Sequence, residues 1–257
     1  MSNIKPALSV FAATSLLTLG WAAMSSGASN SVNITVKGDT RCVISNGVPN
    51  HAIGQFPNRG NPHRFRAQRV KLCMDATPTK TGKATFAPAS GVTVTGIVIR
   101  PGTADYYDPS SPRGHSRDRS SGWNLEGMGS ADTLGIDANK AHVDHRGLYH
   151  YHGMPTALIN IGGSTLMGYA ADGHEIHYVG GQAKPSYVLK AGNRPSGPGG
   201  RHDGTFVEDW QYAKGAGNLD RCNGGTINGK YVYFATATYP FFPRCFWGTV
   251  SRDFKRP

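Results

Sequence analysis

The sequence holds little acid and few cysteines. Sixteen Asp and Glu stand against 27 Lys and Arg, a formal net charge of +11, and the 257 residues include four Cys. None of these cysteines forms a Cys-x-x-Cys pair, and there is no Gly-x-Ser-x-Gly elbow, His-Glu-x-x-His helix motif or Gly-rich phosphate loop. Nucleophilic serine or cysteine chemistry, dithiol redox chemistry and P-loop nucleotide handling are therefore disfavoured. Long apolar runs with a 3.6-residue period are scarce beyond the first thirty residues, which argues against a helical protein. No repeat of fixed period and no low-complexity tract is present.

A basic excess raises nucleic acid or an anionic envelope surface as partners. The basic residues, however, come as singles and short groups such as Arg64, Arg66 and Arg69 or Arg113, Arg117 and Arg119, with no basic helical face. Solvated surface is the preferred reading, and nucleic acid is not expected to bind.

What the chain does hold is glycine and proline, 34 and 16 residues, with short β-branched and aromatic runs set between Gly, Pro, Asn and Asp clusters. That pattern predicts a mainly β fold: one β-rich domain over residues 30–257, sandwich or barrel-like, with long Gly/Pro-rich loops and few short helices. Strands are expected at residues 31–38, 71–74, 84–87, 92–100 (bent or hairpinned at Thr95-Gly96), 158–161, 166–170, 187–190 and 230–237. Asp172-Gly173 signals a tight hairpin. Residues 205–214 fit either a strand or a short helix, residues 101–129 a long loop, and residues 239–247 an aromatic plug.

Residues 1–29 read as a secretory signal: Lys5 supplies a positive start, residues 7–23 are apolar, and residues 25–29 are small and polar. An N-terminal anchor is the alternative. No later segment is apolar for long enough to span a bilayer, so no transmembrane span is expected after signal removal. A periplasmic or extracellular location suits the even cysteine set, for which Cys42–Cys73 and Cys222–Cys245 are the preferred of three possible pairings.

The densest chemistry lies in residues 141–155, AHVDHRGLYHYHGMP, which hold four of the ten histidines. Alternation sends His150 and His152 to one face of a strand and Tyr149 and Tyr151 to the other. The two histidine Cα atoms would lie about 6.5 to 7 Å apart, close enough for both imidazoles to converge on one ion. Turn parity decides the role of His142. A three-residue loop at 145–147 places it across from His150, whereas a four-residue loop at 144–147 places it opposite Tyr149. His145 falls in the turn. His174 and His177 would lie on opposite faces of a strand after the Asp172-Gly173 turn, so at most one could join, while Glu175 and His177 would share a face.

The sequence resembles the YHYH domain family, a family of exported, mostly bacterial proteins. Its motif stands here as Tyr149-His150-Tyr151-His152, and residues 46–61, 119–127, 134–155, 203–224 and 239–248 also look like family stretches. The resemblance implies a single domain and by position favours Asp137, His142, His150 and His152 as members of a shared constellation. It names no reaction. The chain departs from the family where Gly-Phe-Pro-Ile-Tyr is usual, having Gly173-His174-Glu175-Ile176-His177, and it carries Val232 at a late Tyr-His-Tyr-like position.

Three functions follow for comparison. In the first, His142, His150 and His152, with Asp137, Asp144 or one of His174 and His177, hold zinc or copper for binding or sensing. In the second, a metal-activated water hydrolyses a substrate with Asp137, Asp144 or Glu175 as general base. In the third, the His/Tyr cluster is structural, and Tyr149, Tyr151, Trp123, Trp210 and Trp247 offer stacking surface to a glycan or another envelope polymer.

Overall fold

A computed structural model describes residues 28–159 and 163–255. The signal expected at residues 1–29 lies, through residue 27, outside the described residues, as do residues 160–162.

The strands in chain order are β1 (Val32–Lys37), β2 (Thr40–Ser45), β3 (Val70–Asp75), β4 (Gly91–Thr93), β5 (Val98–Ile99), β6 (Tyr106–Tyr107), β7 (His115–Ser116), β8 (Ala141–Val143), β9 (Tyr149–Tyr151), β10 (Leu166–Ala170), β11 (Glu175–His177), β12 (Tyr187–Leu189), β13 (Trp210–Tyr212), β14 (Gly224–Ile227) and β15 (Lys230–Phe234). One short helix, α1 (Ala131–Leu134), precedes β8. The fold is mainly β, and among the described residues no sheet closes into a barrel.

The first sheet is the meander β1-β2-β3. Alternation buries Val70, Leu72 and Met74 of β3 against the core while Lys71 and Asp75 face water. Each such burial contributes about 2 kcal/mol. Cys42 and Cys73 are cross-strand partners in β2 and β3 and are joined as a disulfide, as are Cys222 and Cys245.

The second sheet has the order β14-β15-β11-β10-β4-β5-β9-β8. The 92–100 run is a hairpin: β4 and β5 pair antiparallel, and Gly96 turns between them at φ +82, a left-handed value that favours glycine. Asp172-Gly173 turns β10 into antiparallel β11, with Gly173 at φ +93. Two pairings are parallel, β5 with β9 and β11 with β15. Both join segments far apart in sequence, which local turn chemistry does not report.

Three expectations need adjustment. Residues 205–214 hold both proposed forms, a 3-10 turn at Val207–Asp209 followed by β13. Of the strand expected at 158–161, Leu158 ends a 3-10 turn at Thr156–Leu158, and residues 160 and 161 lie outside the described residues. Residues 84–87 contribute an isolated bridge, Thr85 with Phe246. No helix among the described residues is long and apolar enough to cross a membrane.

Candidate metal centre

The centre is built on the β8–β9 hairpin at one edge of the second sheet. Register pairs Ala141 with Tyr151, His142 with His150 and Val143 with Tyr149. The Asp144 N–H donates to the Leu148 carbonyl at 3.0 Å, so the loop between them is the three residues 145–147. Asp144 also fixes that loop through its side chain, whose Oδ1 accepts from the Arg146 and Leu148 N–H groups. This parity puts His142 on the imidazole face. His145 is exposed in the turn.

Three imidazoles converge. His152 Nε2 lies 3.1 Å from His142 Nε2 and 3.1 Å from His150 Nε2. Tautomers at two of the rings follow from their other nitrogens. His142 Nδ1 donates to the Leu134 carbonyl at the end of α1 (2.9 Å), and His150 Nδ1 donates to the Leu148 carbonyl (3.1 Å), since a carbonyl can only accept. Both Nε2 atoms are therefore bare lone pairs in the neutral rings. His152 Nε2 can carry at most one proton, yet it faces two acceptors, so at least one of these contacts brings two nitrogens together with no proton of its own between them. His152 Nδ1 is buried without a hydrogen bond of good geometry, although the Pro101 carbonyl acts on the ring as an acceptor.

Burial is the first cause of depressed pKa values at all three histidines. His150 and His152 are held well below the ordinary value of 6.5, burial being joined by the charge of Arg100 and by the neighbouring imidazoles. His142, the least enclosed, is lowered by burial while the Leu134 carbonyl acts in the opposite direction and Arg100 adds to the fall. The histidines are thus neutral at physiological pH, the state in which an imidazole nitrogen can ligate. Unfolded imidazoles take up protons near pH 6.5 while these folded ones do not, so acid favours the unfolded chain. For the metal-free protein, the urea midpoint is expected to fall between pH 7.5 and pH 5. Asp144 acts lower still: burial raises its pKa, but the Leu148 and Arg146 N–H groups with Arg100 and Arg146 prevail and hold it below 3.8. A midpoint that stays flat across that interval would contradict the histidine assignment.

Gly127 makes room for the third ring. A Cβ on this residue would lie 2.6 Å from His152 Nδ1, a contact that real side chains do not make, and 3.0 Å from its Cβ. Gly127→Ala is therefore expected to displace the His152 ring, destabilise the fold by about 1 to 3 kcal/mol and weaken any metal bound by His152 roughly tenfold or more. Calorimetric titration of the variant with zinc checks this, and an unchanged affinity would show that the ring does not need this space.

The remaining candidates lie elsewhere. Asp137 sits under the tyrosine face, where Oδ2 accepts from Tyr149 Oη (2.7 Å) and the Gly54 N–H (2.9 Å), and Oδ1 from the Asn139 (2.9 Å) and Ala141 (3.2 Å) N–H groups. Its oxygens are spent on the backbone and a tyrosine, so it is not placed to ligate. Asp144 is paired with Arg100 at 3.1 Å. Glu175, His174 and His177 lie at β11, four strands from β9, about 19 Å across the sheet at ordinary strand spacing. There Glu175 and His177 meet at 3.1 Å and Lys230 pairs with the carboxylate, while His174 packs beside Asp172. Neither histidine joins the centre. Among the described residues, His142, His150 and His152 are the group whose donor atoms gather closely enough to hold one ion.

The aromatic platform is likewise absorbed into packing. Tyr149 and Tyr151 are fully buried, and Tyr151 bonds His51 Nε2 at 2.6 Å. Trp123 is buried, Trp210 stacks on Tyr239, and Trp247 Nε1 donates to Asp220. Residues that the sequence reading missed include Arg100 and Gly127, both close to the imidazoles. Only the parallel β5–β9 pairing brings Arg100 there, and no local signal marks it.

A family model described as YHYH protein matches residues 71–248, more than half of the chain. No curated protein and no solved structure matches.

Proposed function

The chain belongs to the YHYH protein family, and from that premise we propose that this member binds one transition-metal ion, zinc or copper, through the Nε2 atoms of His142, His150 and His152. The observation that carries the reading is the crowding of His152 Nε2 at 3.1 Å from both other Nε2 atoms, with too few protons to bond them and all three donors within 4.8 Å of one another. A cation on their common axis turns that repulsion into ligation. The two spacings at His152 also suit it, because tetrahedral bonds of about 2.0 to 2.1 Å set neighbouring donors about 3.3 Å apart. The Nδ1 protons of His142 and His150 are directed at main-chain carbonyls, the outer contact that fixes metal-bound histidine. Three protein donors leave one coordination position for an exogenous ligand.

Export accompanies this reading. Two disulfides fit an oxidising compartment, and we place the protein in the periplasm or outside the cell, with residues 1–29 as its signal.

Metal analysis of untagged protein, together with melting curves in zinc and in copper, tests the proposal. One equivalent of metal and a metal-dependent gain in melting temperature are expected. Protein that carries no stoichiometric metal and melts unchanged in both ions would refute it.

A further inference from the structure

We infer that the open coordination position of this centre is an oxyanion site, in which a carboxylate, carbonate or phosphate group bridges the bound metal and the guanidinium of Arg100. The inference rests on the metal reading above.

Sheet register places Arg100. Val98 pairs with His150 in the parallel β5–β9 ladder, and the Arg100 N–H donates to the Tyr151 carbonyl at 2.8 Å, so the pairing runs on past β5. Two residues beyond Val98, Arg100 falls beside His152 on the imidazole face. Its side chain then reaches Asp144, Nη1 lying 3.1 Å from Oδ2. Asp144 follows β8, and β9 lies between β5 and β8. The guanidinium must therefore cross β9 on the side that carries His150.

Its donors are largely uncommitted. A guanidinium has five N–H groups, and among the described residues the Asp144 bond is the hydrogen bond its side chain makes. The side chain is about one-quarter exposed (26%). Asp144 is held in turn by the Arg146 and Leu148 N–H groups and lies 3.6 Å from the Arg146 guanidinium. The arginine is thus anchored through Nη1 on a carboxylate that is itself fixed.

Charge balance supplies the second argument. Three neutral imidazoles bring no negative charge to a divalent ion. Asp137 is turned to the tyrosine face, and Asp144 is compensated by two arginines. A dication beside Arg100 leaves positive charge uncompensated, and the ligand that relieves it is an anion with two oxygens, one for the metal and one for the planar fork.

The full chain loaded with Co2+ tests this, because visible absorption of the ion reports its coordination. Acetate, bicarbonate and phosphate are titrated separately at constant ionic strength, and their order of affinity distinguishes a carboxylate from an inorganic oxyanion. Saturable spectral change is expected in the wild type. Arg100→Gln is expected to take up one Co2+ and to bind the same anions at least tenfold more weakly. Arg100→Lys should also bind them more weakly than the wild type, since an ammonium cannot grip two oxygens in one plane. By linkage, the anion should raise Co2+ affinity in the wild type by the same factor as Co2+ raises anion affinity. Uptake of one Co2+ with a spectrum indifferent to all three anions overturns the oxyanion site and leaves the metal reading intact, as does equal anion binding by wild type and both variants. Failure of the wild type to take up Co2+ overturns both.

Discussion

His152→Ala will abolish the metal-dependent rise in melting temperature. At free metal of one hundred times the dissociation constant, binding to the native state adds about 2.7 kcal/mol. For a chain of this size that corresponds to a rise of roughly 5 to 10 °C. His152 supplies the central donor, the one in contact with both other Nε2 atoms, and its removal leaves two. If each of three ligands carries a share of the binding energy typical of structural zinc, its loss costs about 3 kcal/mol or more, at least a hundredfold in affinity. His51→Ala is the matched control, because His51 bonds Tyr151 on the other side of β9 and faces no imidazole of the centre. Zinc titrations followed by differential scanning calorimetry separate the two variants. A His152→Ala protein that still gains several degrees in zinc would remove the centre from consideration.

Asp137→Ala is expected to destabilise the metal-free protein by about 3 to 5 kcal/mol while leaving one metal per chain. The carboxylate accepts from three backbone N–H groups and Tyr149 Oη. Its removal leaves partly buried donors without acceptors, a cost of about 1 to 3 kcal/mol for each group that cannot reach water. Chemical unfolding measures the loss, and metal analysis of the folded fraction measures the stoichiometry. Loss of the metal with unchanged stability would mean that Asp137 is a ligand after all.

The hairpin that carries the centre was legible because its information is local. Alternation in Tyr149-His150-Tyr151-His152 separates imidazoles from phenols, and loop parity across residues 145–147 then determines whether His142 faces His150. The role of Asp137 was also written locally, in Asp137-Ala138-Asn139-Lys140. This is turn chemistry, with Lys140 at φ +63 and the Asn139 N–H on the Asp137 carboxylate, and it would have argued against ligation. Arg100 was hidden for a different reason. Its position depends on a parallel pairing between β5 and β9, and parallel strands leave no turn between them to read. The absence of barrel closure has the same origin, since strand order in the second sheet is set by contacts between distant segments.

The short loop between β8 and β9 bears on the chain before it is folded. All three imidazoles lie between positions 142 and 152, so closing the hairpin spans few residues and costs little chain entropy, and such hairpins form in about 1 to 10 µs. The parallel neighbour β5 must be brought in from some fifty residues away, a slower search. All three donors that the proposed centre would use are thus already on this one hairpin. On the proposed metal reading, an ion captured by the nascent hairpin would bias its register toward His142 opposite His150 and present the finished edge to the sheet that assembles on it.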